Sequence, residues 1–148
     1  MADFSGSKIA LFHDGCVLTY LRDDHAHIPF PAHWDLPGGG RENAESADEC
    51  ALRELLEEFG LTLDPSRIVW RRAYPSWSNP GTVAYFMAAH IGPDEIARIV
   101  FGDEGQRWEM MPIRTYLTHE RCVPHLRDRL RDAVDATNAI ALPVEEGL

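Results

Sequence analysis

The stretch from Leu36 to Leu61, LPGGGRENAESADECALRELLEEFGL, constrains this chain more than any other part of it. Three consecutive glycines follow Pro37, and a helical pattern runs from Ser46 to Phe59. Glycine runs are costly in conformational entropy, so they mark a backbone conformation or a close approach that side chains would forbid. Ser46 and Glu49 have capping-box spacing, and Gly60 stands where a glycine C-cap ends a helix. At about 100° per residue, Glu54, Glu57 and Glu58 share one arc of the helix, with Leu52, Leu55, Leu56 and Phe59 roughly opposite. One face anchors in a core, and the other presents hard oxygen ligands. Carboxylates at these spacings repel one another; Mg2+, or Mn2+ in its place, relieves the repulsion. A solvated acidic face on an ordinary amphipathic helix is the alternative reading of the helix alone. The glycines carry neither a GxGxxG nor a Lys-Ser/Thr pair, which excludes the dinucleotide fingerprint and the P-loop.

The rest of the chain reads as a mixed α/β domain. Lys8–Phe12 and Cys16–Arg22 are β-prone runs around His13-Asp14-Gly15, and Asp-Gly is a hairpin signal. Residues 23–31 form a loop, and the chain breaks sharply at Pro37–Gly40. Strands are expected at 68–73, 82–90 and 106–111, with a short helix at 93–99. Residues 124–139 form the closing helix, with Leu126, Leu130, Ala133, Val134 and Thr137 on one face. The tail from Pro143 is expected to fray. At 148 residues, the whole chain, 1–148, is read as one domain.

Charge narrows the partners. With 14 basic against 24 acidic residues, the formal net charge is −10. Such a surface lacks the Lys/Arg footprint of a nucleic-acid polymer binder, and a small polyphosphate ligand would need a divalent cation. Lys8 stands alone among 13 arginines. The longest near-apolar run, Val83 to Ile91, is too short to span a membrane and contains His90. The first residues lack a secretory pattern. Cys16, Cys50 and Cys122 are odd in number, with no CxxC pair, so reduced thiols and a cytoplasmic location are expected.

The Leu36–Leu61 stretch resembles the box of the Nudix hydrolases, G-x5-E-x7-R-E-U-x-E-E-x-G-U, where U is aliphatic. Gly39, Glu45, Arg53, Glu54, Leu55, Glu57, Glu58, Gly60 and Leu61 fill every fixed position. The resemblance implies a Nudix-type α/β/α sandwich with a mixed β-sheet. It also implies Mg2+-dependent hydrolysis of a nucleoside diphosphate linked to another group. Glu54, Glu57, Glu58 and the Gly39 carbonyl match the family's metal ligands. Glu45 and Arg53 match positions that hold the loop–helix geometry. Glu104, in the Glu104-Gly105-Gln106 segment before Trp108, is similar to a glutamate in a mobile loop of MutT-type members, and is a further ligand or general base. Arg22 matches a position facing substrate phosphates; a surface ion pair is the other reading.

A phosphoanhydride repels an anionic nucleophile, so cations must screen its oxygens and acidify the attacking water. A carboxylate of raised pKa can then accept the proton. The resemblance implies attack at phosphorus without an enzyme-linked intermediate, and leaves the identity of the base open. The EGQ segment favours a MutT-like (d)NTP substrate, a small nucleotide with no membrane involved. Thr118-His119-Glu120-Arg121 offers no counterpart to the asparagine that reads oxidised guanine in some members. Pro75, fifteen positions after Gly60, favours the alternative of ADP-ribose or another dinucleotide or nucleotide sugar. Leu36-Pro37-Gly38 lacks the glutamine of diadenosine-polyphosphate members. A nucleotide-sensing, non-catalytic domain is the second class, and a homodimer is a weak expectation of the family.

Other groupings are less informative. His25 and His27 lie in a Pro-bordered loop without a second ligand pair. His119, Cys122 and His125 lack finger spacing. Trp77 and Tyr74 either stack on a nucleobase or pack locally. Arg71 and Arg72 point to opposite faces of one strand, so at most one reaches a cleft.

Overall fold

In the computed structural model, which describes residues 3–139, strand β1 (Phe4–His13) is apolar on both faces because helices cover both. Ile9 and Leu11 pack toward α1 (Ala47–Phe59), with Ala51, Leu55 and Phe59. Ala10 and Phe12 pack the other way, with Leu126, Leu130, Ala133 and Val134 of α4 (Pro124–Thr137). This is the expected α/β/α layering around a mixed sheet.

β2 (Cys16–Leu21) returns antiparallel from β1 through Asp14 and Gly15, both with φ > 0, as a tight hairpin requires. β6 (Val83–His90) lies parallel to β1, and β5 (Ile68–Pro75) closes that side. On the other side β1 is shared. β2 pairs with it only at Phe12 and His13, whereas β4 (Gly38–Gly40) pairs with Gly6, Ser7 and Lys8. β2 swings away to pair with β3 (Trp34–Asp35) and β7 (Arg107–Pro112). That fork between β2 and β4 is where the site forms.

α1 carries the expected ends. Ser46 Oγ accepts from the Glu49 N–H, Glu49 Oε1 accepts from the Ser46 N–H, and Gly60 caps at φ 66°. Its apolar arc is narrower than expected: Leu56, at the arc's edge, is 50% exposed. α2 spans Pro93–Ala97.

Three further details differ from the expectation. The glycine run is not merely a break, because its extended backbone completes a β-ladder. Trp34–Asp35 adds a short strand that the sequence pattern does not predict. A helix over Ile113–Thr118, α3, was not anticipated. Its two buried residues, Ile113 and Tyr116, lie i, i+3 on too short a segment for a periodic signal. Residues 143–148, expected to fray, lie outside the described residues, and so does the end of the chain from 140. All three cysteines are free. Among the described residues, no helix is long and apolar enough to cross a membrane.

Candidate active site

The glycine run is set against the acidic helix. Gly38 has φ 133°, and a Cβ there would stand 2.1 Å from the Ser7 carbonyl oxygen, so a side chain is excluded. At Gly39 the limit is the helix itself, since a Cβ would lie 2.5 Å from Glu54 Oε2. At Gly40 a Cβ would meet the Ser5 carbonyl oxygen at an unstrained 3.9 Å. The Gly38 N–H donates to Glu58 Oε1 at 3.0 Å.

Arg53 is the organiser of the carboxylates. Its guanidinium donates to both oxygens of Glu45, to Glu54 Oε2 at 3.3 Å, to Glu57 Oε2 at 3.2 Å and to the Gly40 carbonyl at 2.9 Å. Glu45 thereby falls below its ordinary pKa, chiefly through the hydrogen bond from Arg53. Burial raises the pKa of Glu54 and pushes that of Glu58 up to about 8. Two carboxyls that are hard to ionise beside a third are short of positive charge.

Among the described residues, no three His, Cys, Asp or Glu side chains converge closely enough to hold a metal ion as they stand. Arg53 takes up Glu54 and Glu57, and the Gly38 amide takes up Glu58. The donor chemistry nevertheless fits a hard divalent cation. Glu54, Glu57 and Glu58 supply carboxylate oxygens, Gly39 supplies a carbonyl that accepts from Cys50 Sγ at 3.5 Å, and burial favours a cation over bare charge.

Asp35 sits at the base of the fork, buried, and sequence reasoning missed it. Lys8 Nζ pairs with Asp35 Oδ1 at 3.1 Å and Arg22 Nη1 with Oδ2 at 2.9 Å; Tyr20 Oη and the Leu36 N–H also donate to it. Burial alone would raise the Asp35 carboxyl, but Lys8, Arg22 and the Leu36 N–H outweigh it and hold it below its ordinary value. Lys8 also donates to the Leu36 and Gly38 carbonyls, at 3.0 and 3.1 Å, tying the glycine run to β1. The one available signal was that this is the chain's only lysine. Arg22, read as either a phosphate ligand or a surface pair, is a partly buried ion pair that also lines the cleft.

That cleft, of about 370 Å³, lies on the α4 side of the fork. Lys8, Arg22, Arg129, His125, Trp77 and the Gly39–Gly40 backbone are among its walls, and no carboxylate side chain is. In a chain of net charge −10, this cationic lining is a local inversion. Gly39 and Gly40 form the border between the cleft and the acidic helix face. Trp77 is 52% exposed, with its ring 5.5 Å from His125 at an interplanar angle of 6° and 4.8 Å from Phe30. Tyr74 is placed otherwise. Its hydroxyl donates to Asp132 at 2.8 Å and its ring lies under Arg129, so it packs against α4.

Glu104 lies exposed on the loop before β7, beside Arg22 and Tyr20 in a smaller hollow of about 110 Å³. Backbone hydrogen bonds join both ends of this loop to neighbouring elements. The Gly102 N–H donates to the Glu58 carbonyl and the Gln106 N–H to the Leu21 carbonyl. The remaining groupings make local contacts. His25 stacks on His27, His119 Nδ1 accepts from the Arg121 N–H, and Cys122 is buried against Arg127. Arg71 and Arg72 do diverge, to Asp48 of α1 and Asp132 of α4.

Comparison with known proteins agrees with this arrangement. The NUDIX domain model matches residues 11–132. An RNA pyrophosphohydrolase of Erythrobacter litoralis is 34% identical over 62 residues, covering 42% of this chain and 36% of its own. The nucleoside triphosphatase NudI of Salmonella arizonae is 41% identical over 51 residues, covering 34% and 36%. The matched stretch thus spans little more than a third of either relative. A MutT protein from Methanosarcina mazei shares the fold with a TM-score of 0.70, at 21% identity over 93% of this chain and 96% of that one. A family model that spans most of the chain, over a site with every box residue in place, makes the chain a member of the Nudix family.

Proposed function

We propose that this chain is a Nudix hydrolase, dependent on Mg2+ with Mn2+ as a substitute, that cleaves a phosphoanhydride of a nucleoside diphosphate linked to another group. A (d)NTP is the substrate, a reading that the relative named as a nucleoside triphosphatase supports. The observation that carries the reading is the shared border at Gly39–Gly40. On one side lies a cationic, aromatic-walled cleft of nucleoside size. On the other lie Glu54 and Glu58, whose pKa values burial raises, and Glu57, which accepts from Arg53.

The residues divide the work accordingly. Glu54, Glu57, Glu58 and the Gly39 carbonyl would hold the cation. When bound, it supplies charge screening for the anhydride oxygens and acidifies water. Arg53 and Glu45 set the carboxylate positions. Arg22, held by Asp35, faces phosphate oxygens from the β2 side, and Trp77 offers a ring face to the base. Glu104 is the further carboxylate available to water or cation. Attack at phosphorus then depends on positioning and charge more than on covalent chemistry.

The test is product release with Mg2+ from a panel of (d)NTPs, 5′-triphosphorylated oligonucleotides, ADP-ribose, dinucleoside polyphosphates and nucleotide sugars, with Glu57→Gln alongside. Triphosphate turnover lost in the variant is the expected result. Turnover confined to ADP-ribose or dinucleotides moves the substrate class. Tight Mg2+-nucleotide binding without any turnover makes the chain a sensor.

A further inference from the structure

The buried face of α4 has one charged member. Leu126, Leu130, Ala133 and Val134 pack into the core as hydrophobic periodicity requires, but Arg129, on the same stripe, is 8% exposed. A guanidinium in such a place costs free energy unless it is paired. Its Nη2 donates to the Pro75 carbonyl at 2.8 Å, and its plane lies 4.9 Å from the Tyr74 ring centroid. Among the described residues, no carboxylate pairs with it. Lys8 and Arg22 share Asp35, so among the described residues Arg129 is the cation of this cleft without a carboxylate partner, and hydrogen-bonding capacity is left over on its guanidinium.

Its neighbours point to the ligand. His125, one helical turn earlier, lines the same cleft with Nδ1 buried and without a partner among the described residues. Burial and the Arg129 charge hold that imidazole neutral. Trp77 stands parallel to it, half exposed. Phosphates belong at the Gly39 border beside the glutamates, whereas Arg129 enters from the α4 wall, next to the aromatic rings. The group it meets is therefore a flat heterocycle.

Resting on the nucleotide reading above, we propose that Arg129 is a specificity-determining residue that selects a 6-oxopurine base. Guanidinium carries only donors. The O6 and N7 edge of guanine or hypoxanthine offers two acceptors in the spacing of that fork, a pairing worth about 10- to 100-fold in discrimination. Adenine sets its 6-amino donor against the same buried donors, leaving both unpaired.

The test uses 5′-monophosphates, which have no anhydride to lose. Dissociation constants of GMP, IMP, 7-deaza-GMP and AMP are measured calorimetrically on the full chain with Mg2+. The expected order is GMP and IMP about 10- to 100-fold tighter than AMP, with 7-deaza-GMP weakened by loss of N7. Arg129→Gln brings the GMP/AMP ratio close to one. A purely structural arginine would lower the stability of the variant without moving the ratio, and that result overturns the assignment. If Arg129→Gln does not fold, equal binding of IMP, 7-deaza-GMP and AMP to the wild type overturns it instead. Triphosphate turnover with no base preference defeats this inference and leaves the proposed function standing. Absence of any nucleotide binding or turnover defeats both.

Discussion

Gly39 and Glu54 are in contact across the loop and the helix: a Cβ on Gly39 would stand 2.5 Å from Glu54 Oε2 and 2.7 Å from Cδ. The clash is with the end of a side chain, which can move, and not with backbone. Gly39→Ala is therefore expected to fold with nearly unchanged Tm while its Glu54 carboxylate is displaced. An error of about 1 Å in a positioned group costs about 10²-fold in rate, so kcat/KM should fall by about that factor. Gly40→Ala is the control, because its nearest neighbour would be the Ser5 carbonyl oxygen at 3.9 Å. Equal activities of the two variants would show that Glu54 does not need its present place.

Arg53 hydrogen-bonds three carboxylates and a carbonyl at once, which a lysine cannot reproduce. Arg53→Lys keeps the charge and loses the fork. Partners of this kind are worth about 10–100-fold in metal affinity or activity. Mg2+ titration of the variant, followed by calorimetry, is expected to show weakening of that order with the fold intact. Unchanged Mg2+ affinity would mean that the guanidinium only neutralises charge.

The box glutamates were legible because a helix repeats its faces, so spacing alone places Glu54, Glu57 and Glu58 together and Leu55 and Phe59 opposite. The helix ends were legible because Ser46, Glu49 and Gly60 cap by local chemistry. Asp35, Lys8, His125 and Arg129 were not legible. They come together through the fork of β1 with β2 and β4 and through the packing of α4, which puts residues as far apart in sequence as Lys8 and Arg129 on the walls of one cleft. Arg129 also broke the apolar pattern of its helix, and such a departure, read as a signal, would have marked it. Trp77 and Tyr74 look alike in sequence, and only the side of β5 and its following turn on which each lies separates a cleft wall from a packing residue.

Asp35 is 2% exposed and holds two cations. Removing the charge by Asp35→Asn preserves shape and leaves Lys8 and Arg22 without a counter-ion. Breaking a buried pair from one side costs about 3 kcal/mol or more, to be read as a lower urea midpoint at unchanged m-value. Lys8→Met should cost less, because Arg22, Tyr20 and the Leu36 N–H still serve Asp35. The opposite ranking would mean that Lys8 matters mainly through the Leu36 and Gly38 carbonyls.

His125 gives the pH dependence a defined sign. Burial, with Arg129 adding to it, depresses the imidazole from 6.5 to about 4. Between those values the unfolded chain carries a proton that the native chain does not, so stability rises with pH there. The contribution is complete above about pH 6.5 and is lost as pH falls toward 4. His125→Phe keeps the ring against Trp77 and Phe30 and removes the titration. The Tm difference, wild type minus variant, should be constant above pH 7 and decline steadily from pH 6.5 to 4, whatever other groups titrate in both proteins. A difference that stays flat through that interval would place the imidazole in contact with water and remove the neutral, partner-free Nδ1 from the cleft wall.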